Sequence, residues 1–196
     1  AILDCARSGQ CIKAANNTKG TSVTDSAQKE MIDVYDANAH PLGIVAPRKG
    51  LFLKEGQFML YVLGLLQNGE GKYLITRRSL DKKWAAGWWE VPGGGVLAGE
   101  TPVHAVKREV FEEVGIKVDT CEPELLYRYE NVDLARGDNY INHIFRFVLD
   151  FDKSDVVVQP TEVIDFTFAS WEDIEKLSDQ GIFLHFERLR TALGKA

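Results

Sequence analysis

Residues 93–116 read GGGVLAGETPVHAVKREVFEEVGI, a glycine run followed by a stretch with helical signals and many charges. Thr101 is a good helix N-cap, and Pro102 suits the first helical position. Gly115 can adopt the left-handed conformation that ends a helix. The sequence therefore predicts a helix over residues 102–114.

The predicted helix has an apolar face and an acidic face. At roughly 100° per residue, one stripe is apolar and consists of Val103, Val106, Val110 and Val114. Glu109, Glu112 and Glu113 lie three and four residues apart on an adjoining face. Taken alone, they are typical of a solvated surface, but like charges at this spacing repel and the helix dipole disfavours anions near its C-terminus. A divalent cation such as Mg²⁺ would offset both effects, because it prefers carboxylate oxygens and also holds substrate phosphates.

The spacing of residue types across this stretch is specific. From Gly94 to Ile116 the sequence follows the pattern G-x5-E-x7-R-E-V-x-E-E-x-G-I, with nine specified positions in 23 residues. This pattern matches every fixed position of the Nudix box and is far more specific than a lone glycine fingerprint. The sequence therefore resembles the Nudix hydrolases, closely in this motif and more loosely over residues 31–180.

This resemblance implies a fold and a reaction. The fold is an α/β/α sandwich with a mixed sheet held between helices, and the reaction is hydrolysis of a nucleoside diphosphate linked to another moiety. By resemblance, Glu109, Glu112 and Glu113 hold one or more Mg²⁺ ions, or Mn²⁺ in their place, together with the backbone carbonyl of Gly93. Arg108 is expected to orient these carboxylates or to meet phosphate oxygens.

The base that takes the proton of the attacking water is open between two glutamates. Glu113 belongs to the motif, whereas Glu162 lies in a predicted loop over residues 156–163, a region in which Nudix enzymes often have a base or a further metal ligand. An ordinary exposed loop glutamate is the alternative for Glu162. Glu100 is expected to support the glycine loop or an outer metal ion rather than to perform chemistry.

Candidates for substrate binding lie outside the motif. Arg77 and Arg78 end a predicted strand that leads into the site by resemblance, and Trp84 follows in a loop. Aromatic and basic side chains so placed can stack a base and pair with phosphate. Arg136 lies in the loop over residues 131–139, which we expect to face the substrate. Solvated cations at a strand end are the alternative for Arg77 and Arg78.

The rest of the chain indicates an α/β order of elements. Apolar patterns and turn residues predict strands at 30–36, 42–45, 57–67, 72–78, 124–130, 140–151 and 163–169. Helices are predicted over 171–177, after a capping box, and over 182–193. The opening hairpin resembles that of the Nudix subgroup related to isopentenyl diphosphate isomerase. Residues 1–29 have the composition of a tail or leader, so a single domain is predicted over residues 30–196.

Composition narrows the class of protein. The chain of 196 residues has a formal net charge of −6, so non-specific binding to nucleic acid is not expected. No apolar run approaches the length of a membrane span. Cys5, Cys11 and Cys121 have no metal-binding spacing and are expected to be free thiols in a reducing, cytoplasmic compartment. A homodimer is expected by analogy with related proteins.

Two other functions compete with hydrolysis. A Nudix domain that senses a nucleotide without cleaving it is one alternative, but such domains usually have a damaged motif. An isomerase of isopentenyl diphosphate is the other, but in the resembling family that chemistry uses a core cysteine before the motif. No cysteine lies between Cys11 and Cys121. The complete motif therefore favours hydrolysis of a small-molecule, nucleotide-type diphosphate.

Overall fold

A computed structural model describes residues 30–195 of the chain. The predicted tail at residues 1–29 lies outside the described residues. The described part contains nine strands and three α-helices, which in chain order are β1 (Met31–Tyr35), β2 (Pro41–Pro47), β3 (Met59–Gln67), β4 (Tyr73–Arg78), β5 (Trp89–Glu90), β6 (Gly93–Gly95), α1 (Pro102–Val114), β7 (Glu124–Asn131), β8 (Tyr140–Val148), β9 (Val163–Ala169), α2 (Trp171–Asp179) and α3 (Phe186–Ala192).

The strands form one large mixed sheet and one small hairpin sheet. The order in the large sheet is β5-β4-β3-β8-β7, with β6 paired to β3 and β9 paired to β4. β3 and β8 run parallel, and the other pairs in this sheet are antiparallel. β1 and β2 form the predicted opening hairpin. Tyr35 and Phe58 exchange backbone hydrogen bonds of 2.8 and 2.9 Å, which join the hairpin to the large sheet.

β3 is buried on both faces, and its side chains alternate between two cores. Val62 and Leu66 join the core on the side of α1. Leu63 and Leu65 join the core on the side of α2 and α3. The mixed sheet is therefore held between helices, and the predicted α/β/α architecture is confirmed.

α1 begins and ends at the predicted residues. Thr101 Oγ1 accepts a hydrogen bond of 3.2 Å from the His104 N–H, and Gly115 has a φ of 72°. The helix can lie close to β3 because Gly64 has no side chain. A Cβ at this position would lie 3.0 Å from Val110 Cγ2. This close approach holds the acidic face of α1 against the edge of the glycine strand.

The C-terminal segment differs from the predicted helix over residues 182–193. α3 is shorter, and residues 182–184 instead extend beside β5. The Trp89 N–H donates to the Ile182 carbonyl, and the Leu184 N–H donates to the Trp89 carbonyl, both at 2.8 Å. Periodicity along the sequence cannot reveal this pairing, because the partners are far apart in the chain.

Cys121 is disulfide-bonded. The expectation of a free thiol at Cys121 is therefore wrong, and the inference of a reducing compartment loses the support it drew from this residue. Within residues 30–195, none of the helices combines the length and the hydropathy of a membrane span.

Candidate active site

The glycine strand β6 lies between β3 and the acidic face of α1. Gly94 is opposite Val62 of β3. A Cβ on Gly94 would lie 2.3 Å from Glu109 Oε1, so only glycine leaves room for this carboxylate. The glycine run and the acidic helix, adjacent in the sequence motif, are thus packed against each other in space.

Arg108 is the hydrogen-bonding centre of the acidic face. Its guanidinium donates two bonds of 2.9 Å to Glu100, one of 2.8 Å to Glu109 and one of 3.1 Å to Glu112. It also donates to the Gly95 carbonyl at 2.9 Å. Glu100 Oε2 in turn accepts from a backbone N–H of the loop before α1, at 3.0 Å. Glu100 therefore supports the loop, and Arg108 fixes the positions of two of the predicted metal ligands.

Glu113 is the most buried of the acidic residues on α1. The residue is 8% exposed, and its side-chain Oε2 has no hydrogen-bond partner among the described residues. Burial raises the pKa of the Glu113 carboxyl well above its ordinary value, and the nearby carboxylates of Glu90, Glu109 and Glu162 raise it further. A cation bound here would stabilise the ionised form and occupy the unpaired oxygen.

The carboxylates of α1 line a polar cavity of about 300 Å³. Glu109, Glu112, Glu113 and Glu162 supply its acidic wall, together with Gly93. Carboxylate and carbonyl oxygens suit a hard divalent cation, and the unpaired Glu113 oxygen leaves a donor for it. Within residues 30–195, no three acidic, histidine or cysteine side chains are already arranged as ligands of one ion. Arg108 accounts for part of this, because it binds Glu109 and Glu112 itself.

Glu162 reaches this cavity from the loop before β9. Its carboxylate accepts a hydrogen bond from Lys82 Nζ, and its backbone carbonyl accepts one of 2.8 Å from the Ser79 N–H. The loop glutamate is therefore held from both its backbone and its side chain. The structure places Glu162 beside the motif glutamates, as its candidacy for the base requires.

A second cleft, of about 390 Å³, adjoins the polar cavity and shares Arg48, Arg78 and the glycine strand with it. Trp84 and Arg136 also line this cleft. Arg78 donates to Glu90 at 2.7 Å, and its guanidinium carbon lies 5.5 Å from the centroid of the Trp84 ring. Three of the four predicted substrate-binding residues thus line one cleft that opens beside the carboxylates.

Arg77, the fourth of these residues, is directed elsewhere. Arg77 does not line the cleft that Arg78 lines, and the pairing of β4 with β9 is irregular between these two residues. The Arg77 Nε donates instead to the Gly87 carbonyl at 2.9 Å. In the neighbouring segment, Trp89 packs against the core on the side of α2 and α3, whereas Trp88 is exposed.

The cleft contains residues that sequence reasoning did not select. These are Arg48, Tyr61, Glu90, Asn142 and His185. Arg48 lies over the Tyr61 ring at 5.1 Å from its centroid and donates to the Tyr61 hydroxyl at 3.3 Å. Asn142 interrupts an apolar strand with a polar side chain, a signal that could have drawn attention to it. His185 carries no such signal, because its neighbours suggested a helix.

Comparison with known proteins identifies the family. The NUDIX domain model matches residues 57–189. An uncharacterized Nudix hydrolase of Listeria innocua is 31% identical over 139 residues, which cover 70% of this chain and 79% of that protein. This chain belongs to the Nudix hydrolase family. The isopentenyl-diphosphate Delta-isomerase of Corynebacterium glutamicum is 29% identical over 115 residues, 56% of this chain and 60% of the isomerase.

The fold is also shared with a solved Nudix structure. The crystal structure of a MutT protein from Methanosarcina mazei Go1 is similar with a TM-score of 0.52 and 26% identity, over 67% of this chain and 99% of that one. Nudix hydrolases hydrolyse nucleoside diphosphate derivatives and generally use divalent metals. This Nudix hydrolase is therefore an enzyme acting on phosphorus-containing anhydrides, with a fold that binds nucleotide-type substrates.

Proposed function

We propose that this Nudix hydrolase cleaves the diphosphate bond of a nucleoside diphosphate linked to another moiety, in a reaction that depends on Mg²⁺ or Mn²⁺. The observation that carries the proposal is the buried Glu113 carboxyl, whose Oε2 has no partner among the described residues and which is surrounded by the charges of Glu90, Glu109 and Glu162. Arg48, Arg78, Lys82 and Arg108 also line the cavity, but none of them pairs with this oxygen, so a divalent cation bound with the diphosphate would supply its partner.

Glu109, Glu112, Glu113 and the carbonyl of Gly93 are the proposed metal ligands. When bound, a divalent ion offsets the negative charge that develops on the phosphate oxygens. Arg108 keeps Glu109 and Glu112 in place through its hydrogen bonds at 2.8 and 3.1 Å. Its guanidinium thereby orients the carboxylates.

Glu113 or Glu162 takes the proton from the attacking water. Both line the cavity, and Lys82 holds Glu162 at its wall. Arg48 and Arg78 line both the cavity and the adjoining cleft, so they are placed to pair with phosphate oxygens at the boundary. Trp84 and Arg136 would contact the organic part of the substrate, and a substrate contact for Arg77 stays a prediction.

Phosphate release tests this proposal. Wild-type protein is assayed with Mg²⁺ and with excess chelator on nucleoside di- and triphosphates, nucleotide sugars and dinucleotides. We expect Mg²⁺-dependent release from one class, and a kcat lower by about a hundredfold or more in Glu109→Gln and Glu113→Gln. Glu122→Gln is the matched control, because the Glu122 side chain is 90% exposed and lies outside the cavity.

Two outcomes would contradict the proposal. Full activity in both site variants would remove Glu109 and Glu113 from the metal site. No release across the panel, with ligand binding still detectable, would favour a nucleotide sensor instead.

The remaining parts of the proposal concern partners and location. The net charge of −6 disfavours nucleic acid as a partner, so we propose that the protein acts on a small molecule and without a membrane. A homodimer and a cytoplasmic location stay predictions. Sedimentation of the protein tests the former, and a monomer at all concentrations would exclude it.

A further inference from the structure

Two polar side chains line the cleft but do not line the carboxylate cavity. Asn142 is on β8, and His185 directly precedes α3. Neither contributes to the cavity of Glu109 and Glu113. They are therefore placed to contact a part of a ligand that lies away from the carboxylates.

Asn142 is a buried side chain with an unused acceptor. The residue is 3% exposed, and its Oδ1 has no hydrogen-bond partner within the described part of the chain. Its register partner on β3 is Tyr61, whose side chain also lines the cleft. Leaving a buried acceptor unpaired is unfavourable, so such groups in native proteins usually have a partner. The register partner of Asn142 on β7, Tyr129, has a hydroxyl that is also unpaired within residues 30–195, so an N–H from a ligand in the cleft would complete the hydrogen bonds of this pair.

His185 has an unusual backbone and a neutral side chain. Its φ of 60° and ψ of 16° are left-handed, and its side chain makes no capping hydrogen bond to α3. Burial, together with the charges of Arg78 and Arg188, lowers the pKa of its imidazole to about 4. The ring is therefore uncharged at neutral pH, with one N–H donor and one nitrogen acceptor. Strained backbone of this kind is found preferentially at functional sites.

The surroundings of these two residues are aromatic. The Tyr61 and Tyr140 rings lie edge to face with centroids 5.3 Å apart, and both line the cleft with Trp84. Aromatic rings bind planar heterocycles by stacking. A volume of about 390 Å³ falls in the range of small-ligand sites. Besides Arg48, Arg78 and Arg136, which suit phosphate oxygens, the cleft thus contains aromatic rings and uncharged hydrogen-bonding groups, which suit a heteroaromatic ring.

We propose that Asn142 and His185 bind the heteroaromatic base of the nucleotide substrate. Asn142 Oδ1 accepts a hydrogen bond from an N–H on the edge of the base, and the His185 imidazole pairs with a second polar atom of that edge. This inference rests on the proposed function in that the substrate is a nucleotide. Base binding itself requires neither a metal nor turnover.

Calorimetric binding in excess chelator tests the inference separately from hydrolysis. The probes are AMP, GMP, CMP and UMP, with ribose 5-phosphate as the base-free reference. We expect wild-type protein to bind at least one nucleoside monophosphate about tenfold or more tightly than ribose 5-phosphate. His185→Gly and Asn142→Leu should each reduce this preference by about tenfold and leave ribose 5-phosphate affinity unchanged.

Both variants are chosen to fold. Glycine adopts the left-handed backbone of residue 185 without strain, and leucine is close to asparagine in shape and has no acceptor to leave unpaired. Thermal unfolding verifies this for each variant. His143→Gln is the matched control, because burial also lowers the His143 pKa to about 4, but this side chain points to the opposite face of β8 and does not line the cleft.

Three results would overturn the inference. In the first, wild-type protein binds base-containing and base-free ligands with equal affinity. In the second, the variants lose affinity equally for both kinds of ligand. In the third, His143→Gln loses as much preference for the base as the two site variants do. A failure of Mg²⁺-dependent hydrolysis would leave the binding preference measurable, so the two proposals fail independently.

Discussion

Glu113 is the residue through which the charge of the site affects the stability of the fold. Burial and the neighbouring carboxylates of Glu90, Glu109 and Glu162 raise its pKa. A carboxyl whose pKa is higher in the folded state holds its proton more tightly there than in the unfolded state. The free energy of unfolding therefore falls as pH rises from the ordinary value of 4.5 toward the folded pKa.

Replacing this carboxyl with a neutral amide should remove that pH dependence. In excess chelator we expect Glu113→Gln to be more stable than wild type at pH 7, with a difference that grows from about pH 4.5 upward. Urea denaturation between pH 4 and pH 8 measures it. Glu122→Gln, at an exposed position, should show no such growth. A difference for Glu113→Gln that stays constant with pH would contradict the assignment of a raised pKa.

The effect of Arg108 on metal binding should depend on the shape of its side chain as well as on its charge. Lysine keeps the charge but cannot reproduce the bonds that the guanidinium makes to Glu100, Glu109 and Glu112. We expect Arg108→Lys to raise the Mg²⁺ concentration for half-maximal activity by about tenfold or more. A metal titration of the hydrolysis rate measures this. Arg146→Lys, which affects a surface pair with Glu124, is the control, and equal shifts in both variants would refute the bracing role.

At the scale of elements, bounds set by local residues were predicted correctly, whereas bounds set by a distant partner were not. The bounds of α1 were predicted correctly because its cap and stop residues, Thr101 and Gly115, belong to the segment itself. The start of α3 was predicted wrongly because residues 182–184 pair with Trp89, a partner that is remote in sequence. Local propensity fixes an element only where no distant strand competes for its backbone.

The end of α1 offers a test of how packing adds to backbone strain. Gly115 and Gly99 both have positive φ, of 72° and 78°. A Cβ on Gly115 would lie 2.9 Å from Val157 Cβ, whereas one on Gly99 would meet nothing within 4 Å. We expect Gly99→Ala to lower the free energy of unfolding by about 1 kcal/mol. Gly115→Ala should lower it by about 2 to 4 kcal/mol, because overpacking adds to the strain.

Chemical denaturation of both glycine variants measures these losses. Equal losses would mean that the chain around Val157 yields at no cost. The end of α1 would then have room for a Cβ beside the loop before β9, and packing would add nothing to the backbone strain.

At the scale of the whole molecule, the sheet brings the two parts of the site together. α1 carries the carboxylates on one side of β3, and β8 and the segment before α3 supply Asn142 and His185 on the other. The glycine strand β6 lies at the boundary and lines both spaces. The reacting phosphates and the organic part of a substrate can therefore contact residues from opposite layers of the fold.

The sequence alone determined the chemistry that depends on close spacing. The motif from Gly94 to Ile116 predicted the family, the helix and its acidic face, because all of its residues lie within a few turns of one another. Resemblance also placed Glu162 and Arg78 near the site, residue type and loop position selected Trp84 and Arg136, and the structure brings these four to its walls.

Tertiary structure alone decided the composition of the cleft. Arg48, Tyr61, Asn142 and His185 come from distant parts of the chain and meet only when β3, β8 and the segment before α3 pack together. Likewise, the direction of Arg77 and the burial of Asn142 depend on contacts with other segments of the chain. Spacing along the chain encodes local geometry, whereas burial and contact are set by long-range packing that no single stretch of sequence contains.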